Sequence, residues 1–270
     1  LPLVKARLLL ASGDSDEAVK VYRENISDWR RDKNVLIEYA KLLHAKYRGG
    51  DGSLKGELTK TLKAFLNVSR RHKGPNVKAV RRILAELKGG ELGVLILDSM
   101  TAYESAFNDR RLRNINGLMK KSLRGFKRCL KRAPKNPQCR YYEGLIYASV
   151  KASDYYDQEK AFKTFASIPE GPYFVQSRVQ MAQFLRQTDE LSEATRTLRE
   201  ALAFNPDHQQ ALVEAGIIAK LSGKDLDAER HFKRAYRSNR YSYLAQRALD
   251  ELSKVDPDHP LVLQAWKRGG

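Results

Sequence analysis

Acidic residues are what this chain of 270 residues has too few of, 32 Asp and Glu against 50 Lys and Arg, for a formal net charge of +18. The imbalance does not choose a fold, but it means that a charged partner is an acidic one. Cysteine is scarcer still. Cys129 and Cys139 are too few for a disulfide framework. They fall on consecutive expected helices, where one bridge is geometrically possible, yet an isolated Cys more usually behaves as a small buried hydrophobe. The longest apolar run, near "LGVLILDSM", is far short of the roughly 20 residues a membrane helix needs. No integral membrane segment is therefore expected in this chain. Proline and glycine number only 9 and 17 and sit between apolar runs, which excludes long disordered tracts. No leader is visible, but the chain starts at Leu1 rather than Met. The compartment stays open, with the cytoplasm as default and periplasm or secretion as alternatives.

The residues that carry catalysis are also missing from the patterns catalysis needs. His44, His72, His208, His231 and His259 are scattered, and there is no HExxH or Cys-x-x-Cys. Ser177 in "GPYFVQS" has no nucleophile-elbow context. "RGGDGSLKGE" and "LKGGELG" are glycine-rich, but neither ends in the Gly-Lys-Ser/Thr of a phosphate loop and no strand precedes either. They read as turns. The expectation is a protein that is not an enzyme and carries no metal and no cofactor.

What is there is helical and periodic. "YFVQSRVQMAQFLRQTD" is followed by "ELSEATRTLREALAFNP", then "HQQALVEAGIIAKLSG" by "KDLDAERHFKRAYRSN". Apolar residues recur at helical spacing, as with Val179, Phe184 and Leu185, or Leu212, Ile217 and Ile218. Pro206 and Gly223 punctuate the turns. Shifting Gly216, Ala228 and Ala235 back by one constant offset lands on Ala182, Ala194 and Ala201, while Phe232 falls on Leu198. A period of roughly 34 residues with fixed small and large positions marks stacked helical hairpins.

This pattern resembles the tetratricopeptide repeat. Ala182, Ala194, Leu198, Ala201 and Pro206 fit that family's order of small, small, large, small and Pro. Gly216, Ala228, Phe232 and Ala235 fit it again, with Arg240 where Pro would stand and the family's Trp missing from both. Ala6, Gly13, Ala18 and Tyr22 match at the chain's start. Gly144 and Tyr147 match in a further first helix, whose partner "EKAFKTFASIP", with Ala161 and Phe165, arrives late by the family's spacing and implies a longer internal turn. The resemblance implies an all-α, right-handed α-solenoid of antiparallel helix pairs. Residues 1–73 form its N-terminal hairpins, 74–117 a divergent helical segment, and 118–270 C-terminal repeats with a terminal capping helix.

In such a solenoid the first helix of each pair, helix A, lines a concave groove. Carried over, the family's groove positions are Gln176, Val179, Gln183, Arg186 and Gln187, then Gln210, Val213, Ile217, Lys220 and Leu221. A looser alignment adds Gln138, Tyr141, Leu145, Ala148 and Ser149. The Lys and Asn clamp that some members use for a chaperone tail is absent, since Val179 and Gln183, then Val213 and Ile217, hold its places.

From Arg110 to Tyr142 there is no acidic residue. On a helix through "LMKKSLRGFKRCLKRAP", Lys120, Arg124, Lys127, Arg128 and Lys131 fall on one side, and Met119, Leu123, Phe126 and Leu130 on the other. Nucleic acid would want exposed aromatics among the cations, and lipid would want a free apolar face. The sequence therefore reads as an interaction scaffold, an adaptor that binds a protein or peptide in its groove and offers a basic surface to an acidic partner. The alternative is a basic helical-repeat protein that binds nucleic acid.

Overall fold

The computed structural model describes residues 1–69, 74–108, 113–151 and 153–269, with side chains described through residue 265. His72, Arg110 and Arg111 lie outside the described residues. The described chain is helical with no strand, and it divides into two compact units, Leu1–Leu97 and Asp98–Gly270.

The first unit begins with a hairpin of α1 (Pro2–Ala11) and α2 (Ser15–Asn25). Ala6 and Ala18 have no exposed surface, so the two helices meet at small side chains beside the buried Tyr22 ring. A second pair follows, α3 (Lys33–Arg48) and α4 (Lys55–Val68), joined through the glycine-rich stretch with a short 3-10 turn at Gly52–Leu54. Asp14 and Asp32 cap α2 and α3 by accepting from backbone N–H groups of Glu17, and of Asn34 and Val35. Ion pairs tie each hairpin to the next element. Arg7 reaches Glu38 at 3.0 Å, Arg23 reaches Glu57 at 2.8 Å, and Arg48 reaches Glu86 at 2.7 Å.

Glu86 lies on α5 (Pro75–Asn108), whose backbone leaves helical geometry at Gly89 and Gly90. Gly90 has φ +57°, and a Cβ on Gly93 would lie 2.2 Å from the Ala85 carbonyl oxygen. Only glycine permits that break. The boundary between the units falls after Leu97, so the segment 74–117 contributes to both.

In the second unit the end of α5 packs on α6 (Ile115–Arg132), where the Ser122 hydroxyl donates to the Ser99 carbonyl at 2.8 Å. Helix pairs then succeed one another: α7 (Pro137–Tyr147) with α8 (Gln158–Ala166), α9 (Phe174–Gln187) with α10 (Leu191–Phe204), α11 (Gln209–Leu221) with α12 (Asp225–Ser238), and α13 (Tyr243–Ser253) with α14 (Pro260–Gly269). The small positions read from the sequence, Ala182, Ala194, Ala201, Gly216, Ala228 and Ala235, are all buried. A Cβ on Gly144 would stand 2.6 Å from the Phe165 ring, and one on Gly216 only 2.4 Å from the Phe232 ring. The two contacts are the same contact in different pairs. The longer turn between α7 and α8 absorbs the difference in sequence spacing.

The turns repeat as well. Glu190 N–H donates to the Leu185 carbonyl at 2.7 Å, and one repeat later Lys224 N–H donates to Ala219 at 2.9 Å. Each closes a helix through a left-handed residue, Asp189 at φ +64° and Gly223 at φ +69°.

The expectation of separate cysteines is overturned. Cys129 on α6 and Cys139 on α7 form a disulfide, with Cα atoms 6.4 Å apart and both residues fully buried. The cause is the short turn between the helices. Asn136 N–H donates to the Ala133 carbonyl, and the Asn136 side chain accepts from the Cys139 N–H at 2.9 Å. The end of α6 is thereby folded onto the first turn of α7.

Candidate functional site

The A helices of the second unit, α7, α9, α11 and α13, carry the positions that the sequence pattern assigned to a groove. They do not all behave alike. Val179 and Val213 are 0% and 1% exposed and belong to hydrophobic core, so neither can line a binding surface. Burial by the neighbouring pair removes them. Ser149 is buried too, and Leu145, Ala148 and Ile217 are half-buried packing residues.

The cations on this face are already engaged. Arg186 on α9 pairs through Nε with Glu214 on α11, and Gln183 donates to the same carboxylate at 3.3 Å. Glu214 is 1% exposed. Lys220 on α11 stands 3.9 Å from Glu251 on α13. Arg186 and Lys220 thus connect successive A helices. An acid in place of Arg186 would face a buried carboxylate, so it would disturb folding as well as any ligand. Glu214 and Glu251 were missed by the sequence reading, although an acid inside the apolar run "ALVEAGIIA" has to find a cation.

Other polar positions are unspent. Gln176 and Gln210, at equivalent places one repeat apart on adjacent A helices, are half-buried, and their amides make no hydrogen bond among the described residues. Gln187 accepts from Gln158 at 3.5 Å, and Gln138 donates to the Met100 sulfur at 3.1 Å. Leu221 is 57% exposed.

Tyr141 joins a contiguous set of rings. Its centroid is 5.1 Å from that of Tyr173 and 5.7 Å from that of Phe165, while Tyr142 stacks on Phe126 at 5.3 Å and meets Tyr103 at 5.7 Å. Burial pushes the Tyr141 phenol well above its ordinary range. Tyr173 sits at φ +71°, a conformation that bulky residues rarely adopt. A separate cleft of about 440 Å³ opens among α10, α11 and α12, over Leu198, Leu202 and Ile218 and beside Arg199 and His231.

The second candidate surface is the exposed side of α6. Lys120, Arg124, Lys127, Arg128 and Lys131 are all exposed there, and Met119, Leu123 and Phe126 are buried on the other side with Leu130 half-buried. This is the division the sequence pattern required. Among the described residues no group of His, Cys, Asp and Glu could hold a metal ion, and no helix is long and apolar enough to cross a membrane.

No family model matches the chain, and no curated protein does. Among solved structures, yeast Tom70 superposes over 95% of this chain and 63% of its own, at 14% identity and a TM-score of 0.51. The human IFIT1 dimer with m7Gppp-AAAA does so over 97% and 66%, at 13% identity and 0.51. MamA covers 65% of this chain and 88% of its own, at 16% identity and 0.42. The chain thus spans about two thirds of the length of the Tom70 and IFIT1 chains. Tom70 and IFIT1 are tetratricopeptide helical-repeat proteins, and their likeness shows the fold of this one. It is an all-α, tetratricopeptide-like array of antiparallel helix pairs.

Proposed function

We propose that this protein is a non-enzymatic interaction scaffold whose A-helix face in the second unit holds a protein or peptide segment, while cations on α6 meet a partner of negative charge. The observation that carries the reading is the pair of unspent amides, Gln176 and Gln210, at equivalent places on neighbouring helices. A polypeptide backbone needs such donors and acceptors at regular intervals. Half-buried amides with no internal partner are open to solvent, and a bound backbone can take the place of that water. Arg186 and Lys220 hold the helices that present these groups.

The test is selection of peptides from a random display library on the intact protein. Enriched peptides are expected to bind at least tenfold more weakly to a variant carrying Gln176→Ala and Gln210→Ala, with thermal unfolding unchanged. Failure to enrich any peptide, or equal binding to both proteins, would overturn the reading.

A second reading, nucleic-acid binding, is favoured by the exposed cations of α6 and the net charge of +18. The IFIT1 neighbour was solved with m7Gppp-AAAA, though shared fold at this identity does not carry a ligand across. Binding to generic nucleic acid that is tight at low salt and falls steeply with added salt would support it.

A further inference from the structure

We infer that the exposed face of α6 is a docking surface for a linear acidic polypeptide segment of a partner protein. This rests on the scaffold reading above and names the occupant of its second surface.

Five cations on other helices of the second unit are neutralised by an acid of the same helix or its cap. On α12, Arg230 pairs with Asp227 at 3.5 Å and Lys233 with Glu229 at 3.1 Å. On α8, Lys163 pairs with Glu159, and Lys160 pairs with the capping Asp157 at 2.7 Å. On α10, Arg196 pairs with Glu193. In each case the acid lies one helical turn earlier, so neutralisation is local. On α6 no such acid exists. Lys120, Lys121, Arg124, Lys127, Arg128 and Lys131 are exposed, and none has an ion pair or hydrogen bond among the described residues. Like charges three and four apart on a helix repel, and no ion pair to these six side chains among the described residues offsets that repulsion.

Lys120, Arg124, Lys127 and Lys131 form one stripe about 16 Å long at the helical rise of about 1.5 Å per residue. The disulfide from Cys129 to Cys139 anchors the end of this helix from beneath. The stripe is therefore presented on a fixed element.

Size selects the occupant. One face of an 18-residue helix is about 27 Å by 10 Å, or roughly 270 Å². Even a small DNA-reading module buries about 600–1,000 Å², so this face is too narrow for a duplex. It fits a single extended or helical chain. Its exposed residues include no ring on which a nucleotide base could stack. Met119, Leu123 and Phe126 are buried and Leu130 is half-buried, so α6 presents no free apolar face to lipid. Carboxylates spaced along a polypeptide remain.

The experiment uses fluorescently labelled dodecaglutamate in anisotropy titrations with the full chain, with a 20-base-pair DNA duplex and phosphatidylglycerol vesicles as parallel probes. One variant carries Lys120→Gln, Arg124→Gln, Lys127→Gln and Lys131→Gln. A control carries Lys160→Gln, Lys163→Gln, Arg230→Gln and Lys233→Gln, and so removes the same number of charges from paired sites. At low salt the α6 variant is expected to bind dodecaglutamate at least tenfold more weakly, and the control within about twofold of the parent. Equal losses in both variants would reduce the effect to net charge and overturn the proposal. So would tighter binding of the duplex or the vesicles than of dodecaglutamate to the parent. The peptide-selection test reads Gln176 and Gln210, so either surface can fail without the other.

Discussion

At Gly216 a single methyl group decides whether two helices can meet. Its Cβ would lie 2.4 Å from a Phe232 ring carbon, and that ring is fully buried. Gly216→Ala is therefore expected to destabilise the chain by about 1–3 kcal/mol, the usual cost of overfilling a packed site, measured as a lower urea midpoint. A second substitution of Phe232→Leu should recover part of the loss. Stability equal to the parent's for Gly216→Ala alone would mean that the ring is not fixed there. Small residues at fixed offsets were legible in the sequence because close approach leaves only Gly and Ala possible. Val179 and Val213 were misplaced for a different reason. Their positions come from a family pattern, whereas their burial depends on how closely the next pair packs. Glu214 shows the same limit. Its partner Arg186 belongs to the preceding helix pair, and only the stacking of α9 on α11 brings them together.

For whole elements, local rules took the reading further. The late start of α8 and the one-signed face of α6 follow from spacing within one helix and its turns, which sequence states directly. The disulfide did not follow. So short a separation along the chain is compatible with many distances, and it took the turn capped by Asn136 to set 6.4 Å between the Cα atoms. The partners of the groove residues were equally hidden, since each link joins one A helix to the next. Periodicity along a chain reports which face of a helix is apolar, but not which side chains its neighbours offer.

Across the whole molecule, buried tyrosines make stability sensitive to alkali. Burial raises the phenols of Tyr22 and Tyr103 from an ordinary value near 10 to about 12, and holds Tyr39 and Tyr141 higher still. Between pH 10 and 12 the unfolded chain would release those protons while the folded chain keeps them, so unfolding is favoured as pH rises. Stability contributed by the neutral phenols is complete below pH 10 and is lost as pH passes through about 12. Absorbance near 295 nm should show part of the tyrosine complement ionising late, together with loss of helical circular dichroism. Ionisation of all tyrosines near pH 10 with helicity intact would contradict this.

The covalent bond between α6 and α7 also changes what a cut chain looks like. Cys129 and Cys139 close a ring that contains Arg132 and Lys135, both exposed and both trypsin sites. Cleavage after either residue opens the ring without parting the polypeptide. The nicked protein is expected to run at full length on a non-reducing gel and to separate into two fragments once a thiol reductant is added. With Cys129→Ser and Cys139→Ser, the same cut should release both fragments under either condition. The chain can thus be broken within its most basic stretch and still remain one molecule.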